Sequence, residues 1–186
     1  MDEGGAAERG ERIELRLAGA VREHGLVFAG VVLAEAAVLH EGRFALQSQV
    51  YGSDPRGRAG RSDVLLANRE IESPHVSKLD ALVCLTPESL AAYAGDLRDG
   101  ALLLCEEGLL PPRGRKAVSL PLVPAEVGDP RLVGLAVVGA LCQLRPIVTF
   151  RSVEAALADR ASADELPRLR EALERGKRLA QSVAAS

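Results

Sequence analysis

The stretch Tyr51-Gly-Ser-Asp-Pro-Arg-Gly-Arg-Ala-Gly-Arg-Ser-Asp63 carries the residue types best suited to recognition, with three glycines and three arginines in thirteen residues. Glycine reaches backbone conformations closed to other residues and lets a ligand or a second chain approach closely. Arginine adds a planar fork of donors matched to phosphate or carboxylate. Tyr51, Gly52, Arg56, Gly57, Arg61 and Ser62 are therefore the candidate interface or ligand residues. The alternative for the arginines is a set of solvated loop charges holding Asp54 and Asp63, and for Arg58 that plainer reading is preferred.

A second place to look is Gly19-Ala-Val-Arg-Glu-His-Gly25, which follows the first predicted strand. In open α/β sheets this turn usually holds a phosphate on the N-terminus of the next helix. Gly19 and Gly25 stand six apart here, with Val21, Arg22 and Glu23 between them. A tight cradle needs exposed backbone amides, and these side chains obstruct it. The turn is a degenerate phosphate-type turn, and an ordinary βα connection is the favoured reading.

Nothing else assembles into a catalytic constellation. His24 lies in that turn, His40 at a helix end and His75 after Ser73-Pro74, each reading as a surface or helix-terminal residue. No serine or cysteine sits in a nucleophile elbow. Glu106-Glu107 reads as a solvated loop edge. Cys84, Cys105 and Cys142 are widely spaced among apolar residues, which suits buried, reduced thiols in a cytosolic protein. Without a Cys-x-x-Cys pair the chain builds neither an iron–sulfur cluster nor a zinc site from its own cysteines.

The elements that must position these residues alternate in type. Ile13, Leu15 and Leu17 alternate with Glu14 and Arg16, a period of two that predicts a strand ending at Ala18-Gly19. Val27 to Leu39 is almost wholly apolar and closes at Glu41-Gly42, as a buried helix with a glycine stop does. Further strands are predicted at Phe44–Val50, Asp63–Ala67, Ala81–Leu85, Ala101–Cys105 and Ala117–Val123. Thr86-Pro87-Glu88 and Asp129-Pro130 are helix starts, the second helix running to about Arg145, and Ser152 opens another through Arg160. For the last helix, a cap at Asp164 is preferred to one at Ser162 because it keeps Pro167 inside the first turn.

The predicted fold is a single three-layer α/β domain over residues 13–186, with a largely parallel sheet and C-terminal helices, preceded by a flexible tail over residues 1–12. The net charge of −3 argues against non-specific nucleic-acid binding. No apolar run reaches the roughly 18–20 residues that cross a bilayer, so no membrane partner is expected and the predicted location is cytoplasmic. The acidic, Gly/Ala-rich N-terminus lacks the basic and apolar segments of a signal peptide.

Several segments, in order, resemble the gamma subunit or domain of the 2-oxoacid:ferredoxin oxidoreductases acting on pyruvate, 2-oxoglutarate, ketoisovalerate or indolepyruvate. They are Leu15–Gly19, Val31–Ala37, Gln47–Gly52, the loop from Arg56-Gly57 to Arg61-Ser62-Asp63, Ile71–Pro74, Asp80–Leu85, Gly100–Leu104, Gly139–Leu141 and Ala172–Lys177. The family's Gly-x-Gly-Gly-Gln-Gly turn is reduced here to Gly19 and Gly25, and its Arg-Gly-Gly becomes Arg56-Gly57-Arg58.

The resemblance implies a complex that converts a 2-oxoacid and coenzyme A to acyl-CoA and CO2 while reducing ferredoxin. It also implies that thiamine diphosphate, Mg2+ and iron–sulfur clusters sit in partner alpha, beta and ferredoxin-type delta subunits. This chain would then bind no cofactor alone and have no catalytic residues. Its Gly/Arg loop would dock on those subunits or border the CoA and substrate entrance. The alternative is a stand-alone α/β module binding a nucleotide or acyl-CoA.

Overall fold

The computed structural model describes residues 12–51, 59–123 and 129–184. The first strand, β1 (Arg12–Gly19), leads through a turn into α1 (Leu26–Glu35), which runs on as a π-helical turn over Ala36–His40. The hairpin β2 (Phe44–Val50) and β3 (Gly60–Ala67) follows, then β4 (Leu79–Cys84), α2 (Pro87–Tyr93), β5 (Leu97–Glu106) and β6 (Val118–Leu120). A 3₁₀ turn at Pro130–Leu132 opens α3 (Val133–Leu144), and α4 (Phe150–Arg160) and α5 (Leu166–Ala184) follow.

These strands form one six-stranded sheet in the order β2-β3-β1-β4-β5-β6. β1, β4, β5 and β6 run parallel, and β3 is antiparallel to both β1 and β2. The predicted largely parallel sheet with C-terminal helices is thus the observed one. Its antiparallel part is the hairpin that carries the Gly/Arg loop.

The alternation in β1 sorts the two faces. Leu15 and Leu17 are fully buried in the larger core, with α1, α3, α4 and α5. Ala18, Leu82, Cys84, Leu103 and Cys105 point the other way and pack with Leu90 and Tyr93 of α2. Glu14 and Arg16 share that second face and are buried as well, although their charge suggests solvent. Glu14 Oε2 accepts the amides of Ser77 and Lys78, which fastens the segment entering β4.

Helix α5 crosses α3 at backbone distance. A Cβ at Gly139 would fall 1.9 Å from the Leu173 carbonyl oxygen, and one at Gly176 would fall 1.7 Å from that of Ala136. One glycine on each helix, packed against the other helix's backbone, thus brings an apolar helix, buried from Val133 to Leu141, under an amphipathic cover.

Several boundaries differ from expectation for local reasons. β3 starts at Gly60, not Asp63, because Gly60 and Arg61 continue the ladder opposite Gly19 and Ala18. β6 is only Val118–Leu120. α4 starts at Phe150, because Thr149 rather than Ser152 is the cap, accepting the Ser152 amide on its hydroxyl. Ser162, not Asp164, joins Glu165 in a reciprocal capping box. Pro167 is tolerated because it is the second residue of α5, inside the first turn, where no amide donor is required.

Candidate functional site

The chain leaves β1 toward α1 on one face of the sheet and leaves the adjacent parallel strand β4 toward α2 on the other. That reversal opens a crevice beyond the strands' carboxyl ends, where ligands bind in open α/β folds. Here it is bordered by Gly19, the 20–25 turn and Leu85-Thr86, and Thr86 caps α2 in a reciprocal box with Ser89.

The 20–25 turn is filled by its own side chains and by a neighbouring segment. Val21 is buried over Gly60, where a Cβ would meet its Cγ2 at 2.6 Å. Gly25 caps α1 with φ +61°, and a Cβ there would fall 2.1 Å from the Arg131 carbonyl oxygen. The 3₁₀ turn therefore lies directly on the start of α1, and the Gly134 amide donates to the His24 carbonyl at 2.8 Å. Asp129 locks this turn. It accepts the amide and the guanidinium of Arg131, which lower its pKa to about 2, and it also pairs with Arg168 of α5. The amides of Leu26 and Ala29 are bonded to the carbonyls of Val21 and Gly25.

His24 departs from the surface role expected of it. It is 8% exposed, and its Nδ1 is buried with no hydrogen-bond partner. Burial pushes its pKa below the usual histidine value.

Gly52, Arg56 and Gly57 lie outside the described residues. The other loop residues are separated by the sheet. Arg61 donates through Nε to Asp63 at 3.1 Å and through Nη1 to the Tyr93 hydroxyl at 3.3 Å, and that hydroxyl donates to the Ala59 carbonyl. Arg16 takes both oxygens of Asp63, at 2.6 and 3.0 Å, reaches Asp96 at 2.8 Å and stacks on the Tyr93 ring. The loop's exit is thereby tied to α2.

Ser62 faces the opposite side and is fully buried. It accepts from Gln47 at 3.0 Å and lies so close to Gly30 that a Cβ there would meet its oxygen at 2.3 Å. Tyr51, at the loop's entry, stays 48% exposed with the Arg22 guanidinium 4.8 Å from its ring centroid. Arg22 thus joins Tyr51 to the 19–25 turn. No local sequence pattern signals this partnership, or that of Arg16 with Tyr93.

Glu106 is not a solvated edge. Its carboxylate accepts the amides of Leu122 and Val123 at 2.9 and 3.0 Å and so ties β5 to the segment after β6. Cys84 and Cys105 are register partners on adjacent strands, and burial pushes their thiols up to about 12 and about 11, which suits packing and not nucleophilic attack. Among the described residues no group of three or more His, Cys, Asp or Glu side chains is placed to hold a metal ion. No helix among them is long and apolar enough to cross a membrane.

Residues 17–179 match the family described as pyruvate ferredoxin/flavodoxin oxidoreductase. The chain is 33% identical over 156 residues to 2-oxoglutarate synthase subunit KorC of Methanocaldococcus jannaschii, covering 80% of this chain and 83% of that protein. It is also similar to the crystal structure of the gamma subunit of a keto/oxoacid ferredoxin oxidoreductase from Geobacter sulfurreducens. There the identity is 31% and the TM-score 0.79, with 92% of this chain and 97% of that one covered. Pyruvate oxidoreductase subunit PORC from Thermotoga maritima, at 20% identity and a TM-score of 0.71 over 89% of this chain and 95% of that one, shares the fold.

Proposed function

Because the chain belongs to the pyruvate ferredoxin/flavodoxin oxidoreductase family, we propose that it is the gamma-type subunit of a 2-oxoacid:ferredoxin oxidoreductase. The observation that carries this reading is the near end-to-end correspondence with the Geobacter gamma subunit, 97% of which is covered at 31% identity. The complex would cleave the bond between the carboxylate and the carbonyl carbon of a 2-oxoacid, releasing CO2. The remaining acyl group passes to the coenzyme A thiol, and the two electrons of that oxidation pass to ferredoxin.

Among the described residues, none forms a site fitted to the groups that such chemistry uses. Cys84 and Cys105 sit side by side in the sheet with their thiols held protonated, and no acidic cluster suits a diphosphate-bound Mg2+ among the described residues. Thiamine diphosphate, Mg2+ and the clusters belong to alpha, beta and ferredoxin-type delta subunits in this reading. No step of the reaction is assigned to a side chain here.

The chain supplies a surface. Arg16, Asp63 and Tyr93 fix the exit of the Gly/Arg loop, and the exposed Tyr51–Arg22 pair marks its entry. In this reading Arg56 and Gly57, which lie between those two anchors in the sequence, contact partner subunits or the entrance used by coenzyme A and substrate. Arg61 and Ser62 act from within the sheet, holding the strand that follows those residues.

Purification from the native host at mild salt, followed by a ferredoxin- or dye-linked assay with coenzyme A and a panel of 2-oxoacids, tests the proposal. Thiamine-enzyme subunits should co-purify, and activity should require this chain. A monomer with no such partners, binding nucleotide or acyl-CoA by itself in calorimetry, would overturn it in favour of the stand-alone module.

A further inference from the structure

At the opposite, N-terminal edge of the parallel strands the ladder between β4 and β5 is interrupted. Leu79 pairs with Leu97 and Ala81 with Leu102, so Asp80 alone faces the four residues Arg98 to Ala101. An excursion of this kind re-aims side chains and is a recurrent device beside binding sites. Gly100, at φ +73°, turns the chain back, a conformation that L side chains rarely adopt. The result is a cleft of about 620 Å³ lined by Lys78, Asp80, Arg98, Asp99, Arg115 and Arg145, within the usual size range of small-molecule sites.

The polar contacts in this cleft are unusual in kind. Arg98 is neutralised, donating to both oxygens of Asp80 at 2.8 Å and reaching Glu14 at 3.5 Å. Arg115 donates only to backbone, to the carbonyls of Arg98 and Leu97 at 3.1 Å. Arg145 donates to the carbonyls of Asp80 and Gly100, at 3.0 and 3.5 Å, and Lys78 donates to that of Gly95 at 3.4 Å.

Carbonyls orient a cation without cancelling its charge. Among the described residues, Lys78, Arg115 and Arg145 have no carboxylate partner, and each guanidinium keeps N–H donors beyond those used. Three oriented positive charges from three segments therefore surround one opening, on a chain whose net charge is −3. Asp99, which also lines the cleft, is the one opposing group without a cationic partner there.

We propose that this cleft is a binding site for a phosphate-type oxyanion carried by a small molecule. Lys78 and Arg145 provide the charge-assisted donors, Arg115 backs them, and Asp99 weakens binding to tune it. The site stands on the other end of the sheet from the Gly19–Leu85 crevice and does not depend on the subunit assignment.

Calorimetric titration of inorganic phosphate, inorganic pyrophosphate and ADP into the full chain at low ionic strength tests it. Saturable binding is expected for at least one of them. It should weaken by about tenfold or more in Lys78→Gln and Arg145→Gln, on the scale of a lost charge-assisted hydrogen bond. Asp99→Asn should tighten it severalfold, which a purely structural role for the cluster would not produce. Equal affinity for pyrophosphate and ADP assigns the site to the phosphates alone, and tighter ADP binding extends it to a nucleotide. Because Lys78 is exposed with one long contact, Lys78→Gln keeps the test valid if Arg145→Gln fails to fold. No saturable binding of any of the three, or binding unchanged in Lys78→Gln and Asp99→Asn, would overturn the proposal.

Discussion

The guanidinium of Arg16 lies 4.6 Å from the ring centroid of Tyr93 while its fork closes on Asp63. A strand, a helix and the far side of the Gly/Arg loop thus meet at one cation. The side chains of Arg16 and Asp63 are 6% and 8% exposed, so the pair is desolvated and neither charge can be left alone cheaply.

Asp63→Ala should lower the unfolding free energy by about 3 kcal/mol, since it removes the bidentate partner of buried Arg16, leaving it Asp96 alone, and takes the carboxylate from Arg61. Urea unfolding followed by circular dichroism checks this. Combining Asp63→Leu with Arg16→Met should cost less than the sum of the two single changes, because the double variant no longer buries the Arg16 guanidinium or the Asp63 carboxylate without the other.

Tyr51→Ala separates fold from assembly. Tyr51 is half exposed, and its stacking with Arg22 is a surface contact of about 0.5–1 kcal/mol, so thermal stability should barely move. If Tyr51 docks on a partner subunit, association should weaken by about 2 kcal/mol, the scale of an aromatic anchor at an interface. Sedimentation or pull-down of the complex reads this difference.

His24 makes stability pH-dependent. Its folded pKa lies below the reference value of 6.5 because burial disfavours the cation. The unfolded chain therefore binds the proton first as pH falls. Stability is complete above about pH 6.5 and declines below it, until pH passes the folded-state pKa. His24→Gln should flatten that part of the curve measured by denaturant midpoint at successive pH values.

Gly139→Ala tests the α3–α5 crossing. The added methyl would overlap the Leu173 carbonyl, so the helices must part, at a cost of about 3 kcal/mol or more. An alanine at Gly108, where a Cβ meets nothing within 4 Å but φ is +87°, is the control: its cost is backbone strain alone, about 1 kcal/mol.

Strands and helices whose signal is periodic were legible in the sequence, as the Leu15–Leu17 alternation and the Thr86-Pro87 cap illustrate. Ambiguity arose where two local signals competed. Thr149 and Ser152 stand three apart and either can cap, and the Ser162–Glu165 box prevails although Pro167 argues for a later start. The surroundings of the loop were less accessible. Arg61 finds Tyr93 thirty-two residues away, and Ser62 turns to the other face because a strand alternates. Glu106 reads as a solvated edge, and no local signal marks Glu14 and Arg16 as buried, since only the tertiary fold supplies the amides and the carboxylate that satisfy them.

The glycine contact between α3 and α5 also bears on the order in which the chain becomes a protein. Helix α3 is buried along nearly its whole length, and much of its cover is α5, which is synthesised after it. While the ribosome still holds residues 166–184, that apolar face has no lid, and a nascent chain offers it to chaperones or to other nascent chains. Emergence of α5, and not completion of the sheet, is the event that closes the core. A chain stopped short of Gly176 would include every strand and leave much of the apolar face of α3 uncovered.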